Sequence, residues 1–462
     1  MRDMVEKRSP FLRAFLFLAG LLVLAGLAVE IFRIGPPPGI SIKPMVPAIG
    51  KRTPVTIEIA EPKRGLSRVR VELQQGAERK ILAEKTYALP AAPAFWAART
   101  SSDTFVVNVG RENISGLKTG EATIRVTADR AGTWLRHPAP ASMEVSLPVR
   151  LTPPSLQVVS TETFVTQGGC EAVVYRVGTT SVRDGVRAGT WWFPGYPLPG
   201  GSPGTRFAFF GVPYDMSSDD VRLVAADAAE NQAEVKFIDQ FTAKRFKSDT
   251  VELSDAFMGK VVPEILSQTP EAQDRGNLLD NYLAINRDLR RKDTELLIDL
   301  GRQSHPAFLW SQAFAALQNG KVMAGFADAR TYRYQGREVD RQTHLGYDLA
   351  ATRHAPVAAA NDGIVVLARY LGIYGNAVVI DHGFGLMSLY GHLSTITATP
   401  GQKVARGDLI GQTGDTGLAG GDHLHFAVLL DGLPVNPVEW WDRHWIQDRI
   451  ARKLGSAFPF SG

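Results

Sequence analysis

The chain has 462 residues, which at ordinary domain sizes predicts about three or four domains. A hydrophobic fraction of 44% and a charged fraction of 21% exclude a disordered chain, and a net charge of +4 without a Lys/Arg-rich stripe argues against nucleic acid as a partner. Its one cysteine, Cys170, excludes an intramolecular disulfide and any Cys-x-x-Cys metal site, so a bound metal must rest on histidine and carboxylate.

The first element is an uncharged run from Ala14 to Val29. With its flanks it predicts a helix about 33 Å long, enough to cross ~30 Å of hydrocarbon. Arg2, Lys7, Arg8 and Arg13 precede it, so the N-terminus is expected in the cytoplasm and everything beyond residue 35 outside the membrane. The run exceeds the apolar core of a usual signal peptide. It therefore reads as an uncleaved single-pass anchor in the cytoplasmic (inner) membrane, with a cleaved leader as the rival. Residues 1–36 form this tail and anchor. Gly35-Pro36-Pro37-Pro38-Gly39 is a stiff spacer.

Alternating apolar residues then mark half-buried strands: Val55, Ile57 and Ile59; Val69, Val71 and Leu73; Met143, Val145, Leu147 and Val149. Residues 37–150 are expected to form one β-domain. A second strand series follows Pro153-Pro154, with runs at Val173–Val177, Phe207–Phe210 and Val221–Ala225. Val224-Ala225-Ala226-Asp227 with Asn231 resembles the end of a bacterial immunoglobulin-like domain. Residues 151–238 are read as a β-sandwich, giving two immunoglobulin-like β-domains that serve as spacers.

Between 239 and 308 the period changes. Phe257, Val261 and Ile265, then Leu278, Tyr282, Ile285 and Leu289, are spaced as on helices, with Asn277 as a cap. Arg287, Arg290, Arg291 and Lys292 read as a solvated helix face. The alternatives are a docking site on residues 250–300 for another envelope protein and a flap over the active site. Strand chemistry returns over residues 309–442, at Gly363–Leu367, Ala377–Ile380, Met387–Tyr390 and Leu424–Leu429. Residues 443–462 remain as a tail. The predicted fold class is mainly β, with a transmembrane helix, two β-domains, a short helical segment and a C-terminal all-β domain.

Seven of the nine histidines lie between His344 and His444. In His423-Leu424-His425 the two imidazoles, two residues apart in a strand, share one face. His344 and Asp348, four apart, share a face in a helix or a strand, and Gly346 favours the extended form. Two imidazole nitrogens and one carboxylate oxygen make an open zinc site with one position left to water. The order His344, Asp348, His392, His423 and His425 resembles the M23 (LytM, lysostaphin-like) family of zinc endopeptidases. It is carried by Arg341-Gln-Thr-His-Leu-Gly-Tyr-Asp348, Tyr374-Gly-Asn-Ala-Val-Val-Ile-Asp-His-Gly383, Pro400-Gly-Gln-Lys-Val-Ala-Arg-Gly-Asp-Leu-Ile-Gly411, Gly414-Asp-Thr-Gly417, Asp422-His-Leu-His-Phe426 and Val435-Asn-Pro437.

The resemblance implies one Zn2+ ion held by His344, Asp348 and His425. His392 and His423 are implied as the acid–base and oxyanion-stabilising groups around an attacking zinc-bound water. Asn376 and Tyr390 are expected to line the substrate groove, and His354 and His382 to be structural. The implied substrate is a peptide of peptidoglycan, cross-link or stem, in the periplasm or other extracytoplasmic space. The alternatives are a catalytically silent regulator of other wall hydrolases, a peptidase of exported proteins, and a structural wall-binding module. Gly325-Phe326-Ala327-Asp328 departs from the Phe-Gly turn usual in the family.

Overall fold

The computed structural model describes residues 10–32, 35–89, 98–132, 137–270 and 272–461. Arg2, Lys7 and Arg8, part of the charge argument for orientation, lie outside the described residues. The fold is mainly β and divides into two compact units, residues 1–153 with 227–231, and residues 154–226 with 232–462.

The first unit begins with helix α1, Pro10–Phe32. Its stretch Pro10–Ala28 is long and apolar enough to cross a membrane, and its large side chains are exposed. Beyond it lie two antiparallel sheets. One pairs Gly39–Pro44, Thr53–Ala60 and Ser102–Val109; the other orders Glu78–Thr86, Leu66–Gln75, Gly120–Arg130 and Ala141–Val149. Val55, Ile57 and Ile59 are buried from one side of their strand, and Val69, Val71 and Leu73 from one side of theirs, forming one core with Ile124 and Val126. Of the Met143 series only Leu147 and Val149 are fully buried, because the start of that strand is exposed.

The second unit opens with two four-stranded sheets, one centred on Cys170–Val177 and Thr205–Gly211, the other on Ser181–Ala188 and Val221–Asp227. Their apolar faces share a core that runs on through Phe308, Trp310, Phe384 and Trp440. Strands Gln240–Thr242 and Ser248–Leu253 come next. Helix α2, Asp255–Gln268, starts where Ser254 Oγ accepts the Phe257 N–H; α3, Leu278–Ala284, starts where Asn277 Oδ1 accepts the Asp280 N–H. A π-turn, Ile285–Leu289, leads into α4, Arg290–Arg302. The basic cluster on these turns is only partly a solvated face. Arg287 donates to Asp340 Oδ1 at 2.8 Å, Arg290 to Asn286 Oδ1 at 2.7 Å and Arg291 to Glu295 Oε1 at 2.7 Å, so three of its four cations are paired inside the unit.

The main sheet has eight strands. Its path runs Lys321–Ala324, Tyr347–Ala350, Leu424–Leu430, Leu386–Leu393, Asn376–Gly383, Gly363–Tyr370 and Lys403–Val404, with Leu433–Val435 paired to Leu424–Leu430. A hairpin of Asp328–Tyr334 and Arg337–His344 stands beside it, extended by Ser248–Leu253 in parallel. Helix α2 buries Met258, Val261, Val262 and Ile265 against Tyr332 and Ile373, with Tyr374 and Leu418 packed alongside. The helical segment is thus a second layer behind the loops that wall the candidate site.

Candidate metal centre

The register brings the predicted ligands together. Asp348 on Tyr347–Ala350 sits directly opposite His425 on Leu424–Leu430, and Gly391 faces His425 from the other side. His344 ends the neighbouring hairpin strand. His344 Nε2 lies 2.9 Å from Asp348 Oδ1 and 3.1 Å from His425 Nδ1, and His425 Nδ1 lies 3.0 Å from Asp348 Oδ1.

The backbone sets the tautomers. His344 Nδ1–H donates to the Gly325 carbonyl at 2.8 Å, so its Nε2 turns a lone pair toward the carboxylate. Three electron-rich atoms at this spacing repel unless a proton or a cation stands among them. Two imidazoles and one carboxylate are the donor set of an open zinc site, so these residues fit such an ion. The other Asp348 oxygen, Oδ2, accepts from Arg330 Nη2 at 3.0 Å, which leaves Oδ1 for the cluster.

His392 and His423 stand at the rim of this triangle. His392 Nδ1–H donates to the Thr416 carbonyl at 2.8 Å and His423 Nδ1–H to the Gly421 carbonyl at 2.7 Å. Each therefore keeps Nε2 as an acceptor, and His423 Nε2 is 3.5 Å from Asp348 Oδ1. The His392 and His423 rings are 4.8 Å apart, and His392 is 5.8 Å from the His425 ring. His392 adopts φ 63°, a left-handed conformation that a non-glycine residue holds at a cost of about 1–3 kcal/mol.

Burial alone would raise the pKa of Asp348, but its three imidazole neighbours outweigh this and hold it well below the ordinary carboxylate value. Burial depresses His392 well below the usual imidazole value and His425 to about 4. For His423 burial pulls the same way, but the adjacent Asp348 carboxylate wins and raises it.

The two residues expected to line the groove are placed differently. Asn376 is half-buried, its Nδ2 donating to the Leu393 carbonyl at 3.1 Å and its N–H to Thr416 Oγ1 at 3.0 Å, so it braces the loop that orients His392. Tyr390 is a correction. It pairs with Phe426 on the opposite side of the sheet from His425 and is 1% exposed; its hydroxyl accepts the Ala360 N–H at 2.7 Å and lies 3.0 Å from Ser388 Oγ. Alternation along the strand puts it in the core.

Among residues read as structural, His382 is buried, with Nδ1 2.7 Å from the Asp362 carbonyl and Nε2 2.7 Å from Ser388 Oγ. His354 lies half-exposed, its Nε2 3.7 Å from Asp422. The departure at Gly325 to Asp328 puts Ala327, where the family turn has glycine, at φ 64°, yet the support of the site is kept: Asp328 Oδ2 accepts the Gly325 N–H at 2.8 Å, beside the carbonyl that orients His344. Sequence reasoning missed Arg330 and the three orienting carbonyls.

Residues 342–437 match the model of Peptidase family M23. The chain is 44% identical over 95 residues to the DD-carboxypeptidase/endopeptidase Mpg of Neisseria meningitidis, covering 21% of this chain and 22% of that protein. It is 45% identical over 96 residues to the peptidoglycan DD-endopeptidase ShyA of Vibrio cholerae, covering 21% and 22%. The matched segments thus span about a fifth of these relatives' own length. The catalytic domain of the antimicrobial peptidase lysostaphin from Staphylococcus simulans aligns at 26% identity over 28% of this chain and 98% of that one, with a TM-score of 0.24. The segment that carries His344, Asp348 and His425 is thus similar to peptidase family M23.

Proposed function

We propose that the chain is a zinc-dependent endopeptidase that hydrolyses peptide bonds of peptidoglycan, in a cross-link or a stem peptide. The observation that carries this reading is the convergence of His344 Nε2, Asp348 Oδ1 and His425 Nδ1 within 3.1 Å of one another, beside two imidazoles, His392 and His423, each tied through Nδ1–H to a backbone carbonyl so that Nε2 is left for proton transfer. A zinc ion there supplies a Lewis acid that polarises a carbonyl and acidifies a water.

The protein's own groups then divide the proton work. His392, held neutral by burial and fixed through Nδ1–H, takes the proton of the attacking water on Nε2. His423, fixed by its Nδ1–H on the Gly421 carbonyl, acts as the acid when protonated on Nε2, presenting that proton to the developing oxyanion and passing it to the leaving amine. Arg330 keeps Asp348 aimed by occupying its second oxygen. Strand Lys321–Ala324 is an open edge of the main sheet with Val322 and Met323 exposed, and it pairs beside Asp348; it offers backbone groups to an extended peptide.

The peptidoglycan DD-endopeptidase relative supports the substrate class. The length and apolarity of α1 support a single-pass anchor in the cytoplasmic membrane, with residues 37–150 and 151–238 as immunoglobulin-like spacers for a catalytic region at 309–442.

Incubating the purified full chain with zinc and sacculi should release new amine termini and muropeptides; their absence sinks the proposal. His392→Ala should cut release about 10²–10⁴-fold with zinc still bound. Zinc lost with activity would make His392 a ligand and overturn the division of roles.

A further inference from the structure

We propose that Glu264 of α2, seconded by Lys260, is a positioning residue for His392; the inference rests on the reading of His392 as the proton acceptor. The link is one peptide group. The Thr416 carbonyl accepts His392 Nδ1–H at 2.8 Å, and the N–H on the other side of that same peptide bond, from Gly417, donates to Glu264 Oε1 at 3.1 Å. Because the peptide group is planar, fixing its N–H fixes the direction of its carbonyl. The carboxylate also polarises the peptide, which strengthens the carbonyl as an acceptor. Glu264, Gly417, Thr416 and His392 are therefore one continuous hydrogen-bonded chain from a helix to the rim of the metal site.

Each link is built. Gly417 has φ 73°, and a Cβ there would stand 2.4 Å from the Gly375 nitrogen, so only glycine lets the loop present this peptide plane. Tyr370 Oη donates to the same Glu264 oxygen at 3.2 Å, which holds the carboxylate in place. Lys260, one helical turn before Glu264 on the same face, pairs with Asp415 Oδ2 at 2.6 Å, so α2 grips the loop on both sides of Thr416. That pair is about half exposed and is worth little alone, so Glu264 is the principal residue. The helix is anchored by Met258, Val261, Val262 and Ile265 in the core. On the sheet side Thr416 Oγ1 bonds the Leu393 carbonyl at 3.0 Å and the Leu418 N–H bonds the Ile373 carbonyl at 2.9 Å. These bonds hold the loop's position but not the tilt of the Thr416–Gly417 peptide. The strained His392 backbone makes its ring depend on this outside support.

The test compares Glu264→Met, which keeps the side-chain stem and helix propensity, with Glu264→Gln, which keeps an acceptor oxygen, in the full chain. Zinc content and melting temperature serve as fold controls, with Glu264→Ala as a second deletion. On a peptidoglycan substrate Glu264→Met should lower kcat about ten-fold with KM unchanged, and Glu264→Gln should recover most of it. Independently of cleavage, Glu264→Met should speed hydrogen exchange at the Gly417 amide. It should also turn the His392 ring, observed by 15N-histidine NMR, from a single Nδ1–H tautomer into a mixture. A kcat within two-fold of wild type, or an equal loss in the Gln variant, overturns the assignment. An unchanged His392 tautomer overturns it even if the wild-type chain cleaves no substrate, an outcome that would sink the proposed function separately.

Discussion

Gly346 is the position where one methyl group should cost the most. It lies between His344 and Asp348, and a Cβ built there stands 2.6 Å from both Cε1 and Nε2 of His425 and 2.8 Å from the Phe426 carbonyl oxygen. Ordinary van der Waals contact begins near 3.4 Å, so Gly346→Ala leaves the ring about 0.8 Å too close. The carbonyl belongs to a central strand and cannot yield. The imidazole is boxed by Tyr374, His344 and His392, with ring centroids at 5.4, 5.0 and 5.8 Å. Overpacking of this kind costs about 1–3 kcal/mol, and here the group that gives way is a metal ligand. Zinc affinity should therefore fall about 5- to 150-fold in a titration against a competing chelator, while the zinc-free protein still melts cooperatively. A Gly346→Ala protein that binds zinc within two-fold of wild type would refute the claim that His425 coordinates through a ring pressed on this glycine.

The core beneath the site gives two further expectations. His382, depressed by burial to about 4, is neutral in the folded chain at pH values where the unfolded chain, near 6.5, takes up a proton. Stability is then fully present above pH 6.5 and falls by up to about 3 kcal/mol as the pH drops toward 4. Urea midpoints across this range should decline more steeply for wild type than for His382→Gln, and parallel declines would remove His382 as the cause. Tyr390→Phe leaves the buried Ala360 N–H without its acceptor, so it should cost about 1–3 kcal/mol of stability with kcat and KM unchanged. A rise in KM without loss of stability would instead return Tyr390 to the substrate groove.

The parts of the site legible in the sequence are those where residue type and local spacing suffice. His344 and Asp348 are four apart, His423 and His425 two apart, and strand geometry turns each pair to one side. What stayed hidden depends on backbone atoms or distant pairing. Gly325, Thr416 and Gly421 act through carbonyls, which every residue possesses, so nothing in their identity announces the role. Arg330 meets Asp348 only because the hairpin Asp328–Tyr334 and Arg337–His344 folds back beside the sheet. Tyr390 shows the converse error. It shares parity with His392, and parity alone puts the two on one face. The left-handed backbone of His392 breaks the alternation, so the histidine turns to the metal site while Tyr390 stays below. The period-four residues of α2 marked a helix, but not that its polar turn at Lys260 and Glu264 would meet a loop about 150 residues later.

One asymmetry ties these observations together. His344, His392 and His423 each commit Nδ1–H to a backbone carbonyl, so the main chain decides that Nε2 faces the site. His425 is reversed: Nδ1 faces Asp348 and His344, and its Nε2 is buried with no hydrogen-bond partner among the described residues. A buried polar nitrogen without a partner costs about 1–3 kcal/mol, and no carbonyl steers this ring. Packing must do so instead, with Gly346 as the floor and Tyr374 as the wall. The four histidines are thus held by two different means. Loss of an orienting carbonyl's support, as at Glu264, should disturb proton transfer and spare the metal, whereas pressure on the floor beneath His425 should disturb the metal first. Measuring zinc affinity and kcat for both Glu264→Met and Gly346→Ala separates the two. If both variants lost zinc in proportion to activity, the division between packed ligand and carbonyl-steered acceptor would fail.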